Sequence, residues 1–232
     1  MMLVIKSFLY SLYFLKFTIK NYFPVFLYLV FTQTLIIYTK NIFLVLIFFV
    51  GYIIISSPIT INIFRNIITA DEIINSFTYF IDKDYTKLYI KKALYLLSSI
   101  IIIYIIHVVV LSPFFPNEIS KMTIYLYILF IYMLYIYSRV MFILPAAAIN
   151  KSWGLKDSYL KSKDKSIKIY LLYLTLIIPY VLINFSITNF SENSDIKVFF
   201  VFLAMFMQLF FTILNSTLIG YIYKDYIENI SK

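Results

Sequence analysis

The chain has 232 residues, of which 62% are hydrophobic and 13% are charged. A soluble globular protein is about 45–50% apolar and about 25% charged, so the composition excludes a soluble domain and predicts an integral membrane protein. The absence of cysteine excludes disulfides and thiolate metal sites. The formal net charge of +9 calls for a basic surface that faces either nucleic acid or a membrane.

Residues 1–20 are predicted to form an amphipathic helix that lies in the membrane interface. Lys6, Lys16 and Lys20 fall within an arc of about 80° when each residue turns a helix by about 100°. The apolar stretch between Lys6 and Lys16 is too short to cross a bilayer. No small-residue cleavage site follows, which argues against a cleaved signal peptide. A cytoplasmic extension of the first span is the alternative.

Six segments are predicted to cross the membrane, because each is mostly apolar and close to the length of about 20 residues that a bilayer requires. Together they predict an all-α, polytopic membrane helix bundle that forms one domain. Pro58 and Pro179 lie within two of the spans. The predicted spans are residues 23–38, 42–64, 93–111, 123–144, 169–190 and 198–223.

Two charged stretches between spans are predicted to be amphipathic helices on the cytoplasmic surface. Residues 72–88 mix charged and aromatic side chains. The second helix is predicted over residues 155–167, where Leu160 and Ile167, with Trp153 just ahead, recur every seven residues and form one apolar stripe. The order of span, surface helix and span therefore occurs twice, although the residues match too poorly to establish a sequence repeat.

The distribution of basic residues predicts the orientation. Of the 20 Lys and Arg residues, 16 fall beside the two termini and the two charged stretches, and three fall on the opposite side. Cytoplasmic loops carry the excess of Lys and Arg, so both termini are predicted to be cytoplasmic. Because the charge flanks membrane spans, anionic lipids are the expected partners and nucleic acid is not.

The sequence contains no catalytic constellation, so neither an enzyme nor a cofactor or metal is predicted. His107 is the only histidine and has no nearby carboxylate with which to bind zinc, so a hydrogen bond to a neighbouring helix is expected. Ser158 and Lys161 match the S-x-x-K spacing of some serine nucleophiles, but chance explains this match in a segment rich in Ser and Lys. No carboxylate lies deep within a span to relay protons.

Polar side chains within the predicted spans are the remaining candidates. Gln208, Thr212 and Asn215 are spaced four and three residues apart, which puts them on one helical face. Such a face usually packs against other helices, and a substrate path is the alternative. Other polar residues in spans are Thr32, Gln33, Thr34 and Asn184.

The segment from Arg139 to Gly154, RVMFILPAAAINKSWG, indicates an exit from the membrane into a surface helix. Pro145 is predicted to end the regular helix of the fourth span. Trp153 is predicted to lie at headgroup depth, as are Lys6, Lys16 and Lys20 of the interfacial helix. Arg139 is expected to pair with Glu72 or Asp71, just beyond the second span, and lipid phosphate is its alternative partner.

The same region resembles small bacterial six-span inner-membrane proteins that are related to the membrane domain of glycerophosphodiester phosphodiesterases. Arg65 and Glu72, in IFRNIITADE, resemble the basic-to-acidic segment that follows the second span of those families. The resemblance implies the six-span topology and no established activity. The residues of the main motif are Arg139, Leu144, Pro145, Ala146, Gly154 and Ser158.

The expected function is that of a non-enzymatic envelope or lipid-associated protein of the bacterial inner membrane. A small transporter or channel subunit is the alternative, which the prolines within spans, Pro58 and Pro179, would favour. An intramembrane enzyme is the third possibility, and the missing nucleophile–base pair argues against it.

Overall fold

A computed structural model describes residues 2–28, 31, 41–74, 76, 78–80, 83–111, 119–163, 166–172, 174 and 197–230. These residues form helices and connecting segments and include no strand, which confirms the all-α prediction for the described chain. Residues 23–28 and 166–172 are helical, and Thr78–Phe80 form one 3-10 turn. The main helices are α1 (Met2–Asn21), α2 (Ile42–Thr69), α3 (Asp84–Leu111), α4 (Ile119–Val140), α5 (Ile143–Ala148), α6 (Leu155–Lys161) and α7 (Lys197–Ile230).

Four stretches of the described chain are long and apolar enough to cross a membrane. One of them is α1, for which the sequence predicts an interfacial position, and the depth of α1 in a membrane stays a prediction. Most of the predicted spans 23–38 and 169–190 lies outside the described residues. The four stretches are Met2–Asn21, Leu46–Thr69, Asp84–His107 and Ile131–Ala148.

Helix α7 packs against both α1 and α2. The buried face of α1 is rich in small polar residues, and Ser11 donates a hydrogen bond from Oγ to Thr217 Oγ1 of α7 at 3.3 Å. On the other side, Gly220 of α7 lies so close to α2 that an added Cβ would be 3.3 Å from the side chains of Phe64 and Ile67. Small and hydroxyl side chains therefore allow the three helices to pack closely.

The predicted surface helix over 72–88 is wrong. Ala70 ends α2 in the left-handed conformation, with φ of 57°, and residues 71–74 are not helical. Helix α3 begins only at Asp84 and continues without interruption into the predicted third span. Asn62 explains the difference, because its amide donates to the carbonyl of Ile74 at 3.0 Å and accepts from the N–H of Ile74 at 3.2 Å. These bonds hold the chain in a non-helical path beneath the end of α2.

Of the second predicted surface helix, 155–167, α6 forms the first part, and its position on the membrane surface stays a prediction. Its first turn is capped by Asp157, whose Oδ2 accepts a hydrogen bond from the N–H of Gly154 at 2.9 Å. The regular helix before it also ends earlier than predicted, at Val140, and Pro145 lies in the first turn of α5, within the apolar stretch that continues to Ala148. A proline disrupts the helix at the residue four positions earlier, which places the break at Met141.

Candidate binding cavity

A cavity of about 320 Å³ lies between α2, α3 and α7, with α4 and α5 contributing one side chain each. Pockets that bind small molecules typically measure about 300–1,000 Å³, so the volume suits a ligand. Phe64 and Tyr89, whose ring centroids are 6.4 Å apart, both line it.

The cavity has a polar side and an apolar side. Ser56 and Thr60 of α2 face it together with Thr212, Asn215 and Ser216 of α7. Helix α3 contributes an apolar row at helical spacing, and Tyr137 and Leu144 complete the wall from α4 and α5. The apolar row consists of Ala93, Leu96, Leu97 and Ile100.

Most hydroxyl groups on the polar side are already hydrogen-bonded within the protein. Thr60 donates from Oγ1 to the Ser56 carbonyl at 3.3 Å, and Ser216 donates from Oγ to the Thr212 carbonyl at 2.8 Å. The Thr212 hydroxyl lies 3.1 Å from the hydroxyl of Tyr52. Asn215 differs, because its Oδ1 is buried and has no hydrogen-bond partner. An unsatisfied buried acceptor costs about 1–3 kcal/mol, but this oxygen is too enclosed for a water molecule to touch it, so it offers no bonding position to a ligand in the cavity.

The sequence identified only one wall of this cavity. Of the predicted polar face, Thr212 and Asn215 line the cavity, whereas the side chain of Gln208 lies outside the described residues. Ser56 and Thr60 were not predicted to line it, although hydroxyl residues on both sides of a proline within an apolar helix were a usable signal. It had no means of finding the α3 wall, because apolar residues in a span carry no distinctive pattern.

Arg65 anchors a polar junction next to the cavity. Its Nη2 forms an ion pair with Oδ2 of Asp71, and its Nη1 donates to the carbonyl of Ala148 at 3.3 Å. The guanidinium carbon lies 4.3 Å from the centroid of the Tyr85 ring. Arg65 therefore joins the end of α2 to α5 and to the start of α3.

A second junction holds the connection after α2 against α1. Tyr22 donates its hydroxyl to the Ile74 carbonyl and accepts a hydrogen bond from the Asn62 amide at 3.2 Å. Burial raises the pKa of the Tyr22 hydroxyl to about 12, so it remains a donor at neutral pH. Asn66 connects the same elements, since its Oδ1 accepts from the Tyr10 hydroxyl at 2.6 Å and its Nδ2 donates to the Asp71 carbonyl at 2.8 Å.

The predicted pairing of Arg139 with Glu72 or Asp71 is wrong. Arg139 is 5% exposed, and its Nη1 donates to the carbonyl of Lys163 at 3.3 Å and to Ser166 Oγ at 3.0 Å. Asp71 forms its ion pair with Arg65, which lies near the C-terminal end of α2, and Glu72 is exposed. Lys163 and Ser166, which follow α6 in the chain, instead lie at the end of α4 and accept hydrogen bonds from the arginine.

The predicted interface residues also have contacts within the protein. Trp153 packs edge-on against Tyr223 of α7, with ring centroids 5.3 Å apart, and Lys161 Nζ lies 3.8 Å from a Trp153 ring centroid. Lys6 Nζ lies 4.6 Å from the Tyr221 ring, although Lys6, Lys16 and Lys20 are all exposed. Trp153 is therefore a packing residue, and its headgroup depth stays a prediction.

The other sequence candidates form no catalytic arrangement in the described chain. His107 Nδ1 lies 2.7 Å from the carbonyl of Ile103 in its own helix, so the expected hydrogen bond to a neighbouring helix is wrong. Its ring instead lies 5.4 Å from that of Tyr132 on α4, measured between centroids. Within the described ranges, no three His, Cys, Asp or Glu residues are grouped as a metal site requires.

Compared with known proteins, the chain matches no family model, no curated protein and no solved structure. The features that bear on its function are therefore those of its own structure. The described residues form helices, several of which are long and apolar enough to cross a membrane, and a cavity with a polar side lies between three of them.

Proposed function

We propose that the protein is a non-enzymatic, lipid-associated protein of the bacterial inner membrane, with six spans and both termini in the cytoplasm. One observation carries the proposal: small polar side chains are buried between helices, and large apolar side chains are exposed. Ser7 and Ser11 of α1 and Thr217 of α7 are fully buried between helices, whereas large apolar side chains face outward along α3. Ile102, Ile105 and Val109 are 56%, 52% and 63% exposed.

This distribution suits lipid and not water as the surrounding medium. Water would favour the hydroxyl groups outside and the aliphatic side chains inside, and extended apolar surfaces are rare on soluble monomers. Hydrocarbon chains have the opposite preference, because they offer no hydrogen bonds to polar groups. The outer face of α3 is therefore the surface proposed to contact lipid acyl chains.

A binding role is favoured over catalysis by the chemistry of the cavity. Its described lining contains hydroxyl, phenol and amide groups and no Lys, Arg, His, Asp or Glu. Such a lining offers neither a general base nor an activated nucleophile. It offers hydrogen bonds beside an apolar wall, which is what holding a lipid requires.

The orientation and the partners rest on charge. The basic residues beside the termini and in the two charged stretches support a cytoplasmic location for both ends and an attraction to anionic lipids. The resemblance to six-span inner-membrane families related to the glycerophosphodiester phosphodiesterase membrane domain belongs to the same proposal. It adds the six-span topology and no activity.

Lipid retention and topology test the proposal. The full chain would be extracted into nanodiscs directly from the expressing membrane, and native mass spectrometry would identify the lipids that remain after the disc is stripped with detergent. We expect a stoichiometric lipid adduct, and its complete absence would contradict lipid association. Reporter fusions at Lys40, Glu118 and Glu192 should signal outside, and fusions at Lys163 and the C-terminus should signal inside.

A small transporter or channel subunit is the second candidate, because the cavity lies beside Pro58 in α2. Transporters often bind ions at carbonyls that a broken helix leaves free. Here the carbonyl of Ile54, which a proline at position 58 releases, accepts a hydrogen bond from Ser57 Oγ at 2.8 Å. The kink therefore offers no free carbonyl at Ile54, which favours the lipid-associated role. Solute or ion flux into proteoliposomes would support the second candidate.

A further inference from the structure

The cavity between α2, α3 and α7 is open to its surroundings, and its accessible wall is aliphatic. We infer that the cavity holds one acyl chain of an anionic phospholipid, whose phosphate lies against Lys92 of α3. This inference rests on the lipid-associated function proposed above and names the class of lipid and the site that holds it.

The side chains that a ligand in the cavity meets are mainly aliphatic. Ala93, Leu97 and Ile100 of α3 are partly exposed, whereas Ser56 and Thr60 of α2 are only 8% and 7% exposed. The hydroxyls of Ser56 and Thr60 also donate to carbonyls of their own helix. Because these hydroxyls already have partners, the accessible carbon surface decides what binds, and it favours hydrocarbon.

The length of the α3 wall matches one leaflet of a bilayer. The lining residues of α2 and α3 fall within Leu46–Thr69 and Asp84–His107, two of the stretches that are long and apolar enough to cross a membrane. On α3 the lining runs from Tyr89 to Ile100, roughly 16 Å at about 1.5 Å per residue. A bilayer core about 30 Å thick leaves about 15 Å for each leaflet, so the wall fits one acyl chain.

The charges along α3 assign the two ends of the lipid. Residues 84–92 contain three lysines, whereas residues 93–111 contain no Lys, Arg, Asp or Glu. Lys92 is partly exposed, follows Tyr89 by three residues and precedes Leu96 by four, so it lies on the side of α3 that lines the cavity. A phosphate at Lys92 therefore lets the acyl chain run along the uncharged part of the helix.

The phosphate itself stays outside the cavity. No side chain of the described lining carries a formal charge at neutral pH. A phosphate within the lining would be an unpaired ion in an apolar environment, which is strongly unfavourable. Lys92 suits the contact outside, because a lysine can lay its stem along apolar surface and keep its ammonium among the headgroups.

Photocrosslinking of a chain-labelled lipid tests the inference. The full chain would be placed in phosphatidylcholine nanodiscs with a trace of phosphatidylglycerol that bears a diazirine halfway along one acyl chain. Ser56, Thr60 and Ser216 line the cavity and are at most 8% exposed, so lipid of the surrounding bilayer reaches them only through the cavity. We expect crosslinks at these residues, and their absence would overturn the inference.

A cavity-filling variant tests the position of the chain. Ala93→Trp fills the cavity from α3 and should lower crosslinking at the three buried residues roughly tenfold or more. Ile102→Trp is the matched control, because Ile102 faces outward on the same helix and is 56% exposed; its crosslinking should be unchanged. If Ala93→Trp fails to fold, Leu97→Phe narrows the cavity one turn further along α3 and takes its place.

Lys92→Gln tests the headgroup contact. It should lower crosslinking by phosphatidylglycerol roughly fivefold, the factor that corresponds to about 1 kcal/mol for one basic residue near the membrane surface. It should leave crosslinking by a phosphatidylcholine with the same diazirine unchanged. Lys87→Gln is the control, because Lys87 is exposed on a different side of α3 and should have no effect.

The possible failures are separable. Undiminished crosslinking in Ala93→Trp or Leu97→Phe would overturn the cavity as the site, and equal losses for Lys92→Gln and Lys87→Gln would overturn the phosphate contact. Rapid reaction of a cysteine placed at Ser56 with a membrane-impermeant maleimide would identify a water-filled cavity and would also overturn the inference. Each result leaves the retained native lipid of the earlier experiment intact, whereas a protein that retains no lipid defeats the proposed function itself.

Discussion

Arg65 lies across the ring of Tyr85, with the guanidinium carbon 4.3 Å from the ring centroid. The same separation along the chain joins Arg139 to Tyr159, and that guanidinium lies 4.0 Å from its ring. Each arginine also donates Nη1 to a backbone carbonyl at 3.3 Å. Near their C-terminal ends, α2 and α4 therefore each carry an arginine that lies between a tyrosine ring and a backbone carbonyl of the chain that follows.

Arg65 forms an ion pair with Asp71, whereas Arg139 is bonded to a backbone carbonyl and to a serine hydroxyl. We therefore expect energetic coupling to Asp71 for Arg65 and not for Arg139. Arg65 and Asp71 are partly exposed, at 25% and 36% of their side chains, so their ion pair should contribute about 0.2–1 kcal/mol. A double-mutant cycle with Arg65→Leu and Asp71→Asn, followed by thermal unfolding in detergent, should give a coupling in this range. The matched cycle of Arg139→Leu with Asp71→Asn should be additive, and coupling in that cycle would restore the pairing expected from the sequence.

Arg139 itself should matter more for stability than its surface neighbours. Arg139→Leu removes hydrogen bonds to the Lys163 carbonyl and to Ser166, and it should lower the free energy of unfolding by about 1–3 kcal/mol. The control is Lys163→Ala, because Arg139 uses only the backbone of that residue, and the change should stay within about 0.5 kcal/mol. A larger loss of unfolding free energy in Lys163→Ala than in Arg139→Leu would show that the buried arginine is not what stabilises this contact.

Any side chain larger than that of glycine at position 220 should weaken the packing of α7 against α2. An added Cβ there would be 3.3 Å from Phe64 and Ile67, so Gly220→Ala should be mildly destabilising and Gly220→Leu should cost about 1–3 kcal/mol or more. Gly154→Ala is the control, since its nearest atom would lie at 3.6 Å. The melting temperatures of the three variants check this order, and an unchanged Gly220→Leu would place α2 further from α7.

The packing of α1 against α7 depends on a small buried residue, Ser11. Ser11 is fully buried, donates its hydroxyl to the Ser7 carbonyl of its own helix at 2.6 Å and lies 3.3 Å from Thr217 Oγ1, so Ser11→Leu should force the helices apart, whereas Ser11→Ala should cost no more than about 0.6 kcal/mol, the average for a hydrogen bond between membrane helices. Ser98→Leu is the matched control, because Ser98 is exposed on α3 and bonds only to its own helix at Leu94. Equal losses for Ser11→Leu and Ser98→Leu would contradict the packing of α1.

The sequence predicts the helices far better than the connections between them. Apolar length alone locates α2, because a long run without charges allows little else. Local patterns fail at 72–88, where the side chain of Asn62 fixes the backbone of Ile74 from twelve residues away. They fail at Arg139 for the same reason, since its partners Lys163 and Ser166 come from the segment that follows α6. Charged residues near a membrane edge have several possible partners, and only the fold decides among them.

The face of α7 with Thr212 and Asn215 was predictable because two polar residues on one side of an apolar helix need partners. The cavity was not predictable, because it is a space that forms only where three helices pack against one another. Ser56 and Thr60 reach it only through the register of α2 against α7, which no single helix specifies. Helix packing and a substrate path both stay predictions for this face.

Solvent accessibility along α3 tests most directly whether this bundle lies in lipid with its polar groups turned inward. Because the native chain has no cysteine, spin labels can be attached one at a time at Ile102, Ile105 and Val109 and, on the cavity side, at Ala93 and Leu97. In nanodiscs, we predict that the first three labels collide often with oxygen and rarely with a water-soluble nickel complex, while the labels at Ala93 and Leu97 are less accessible to oxygen. Frequent collision of the labels at Ile102, Ile105 and Val109 with the nickel complex would place this face of α3 in water and contradict the account.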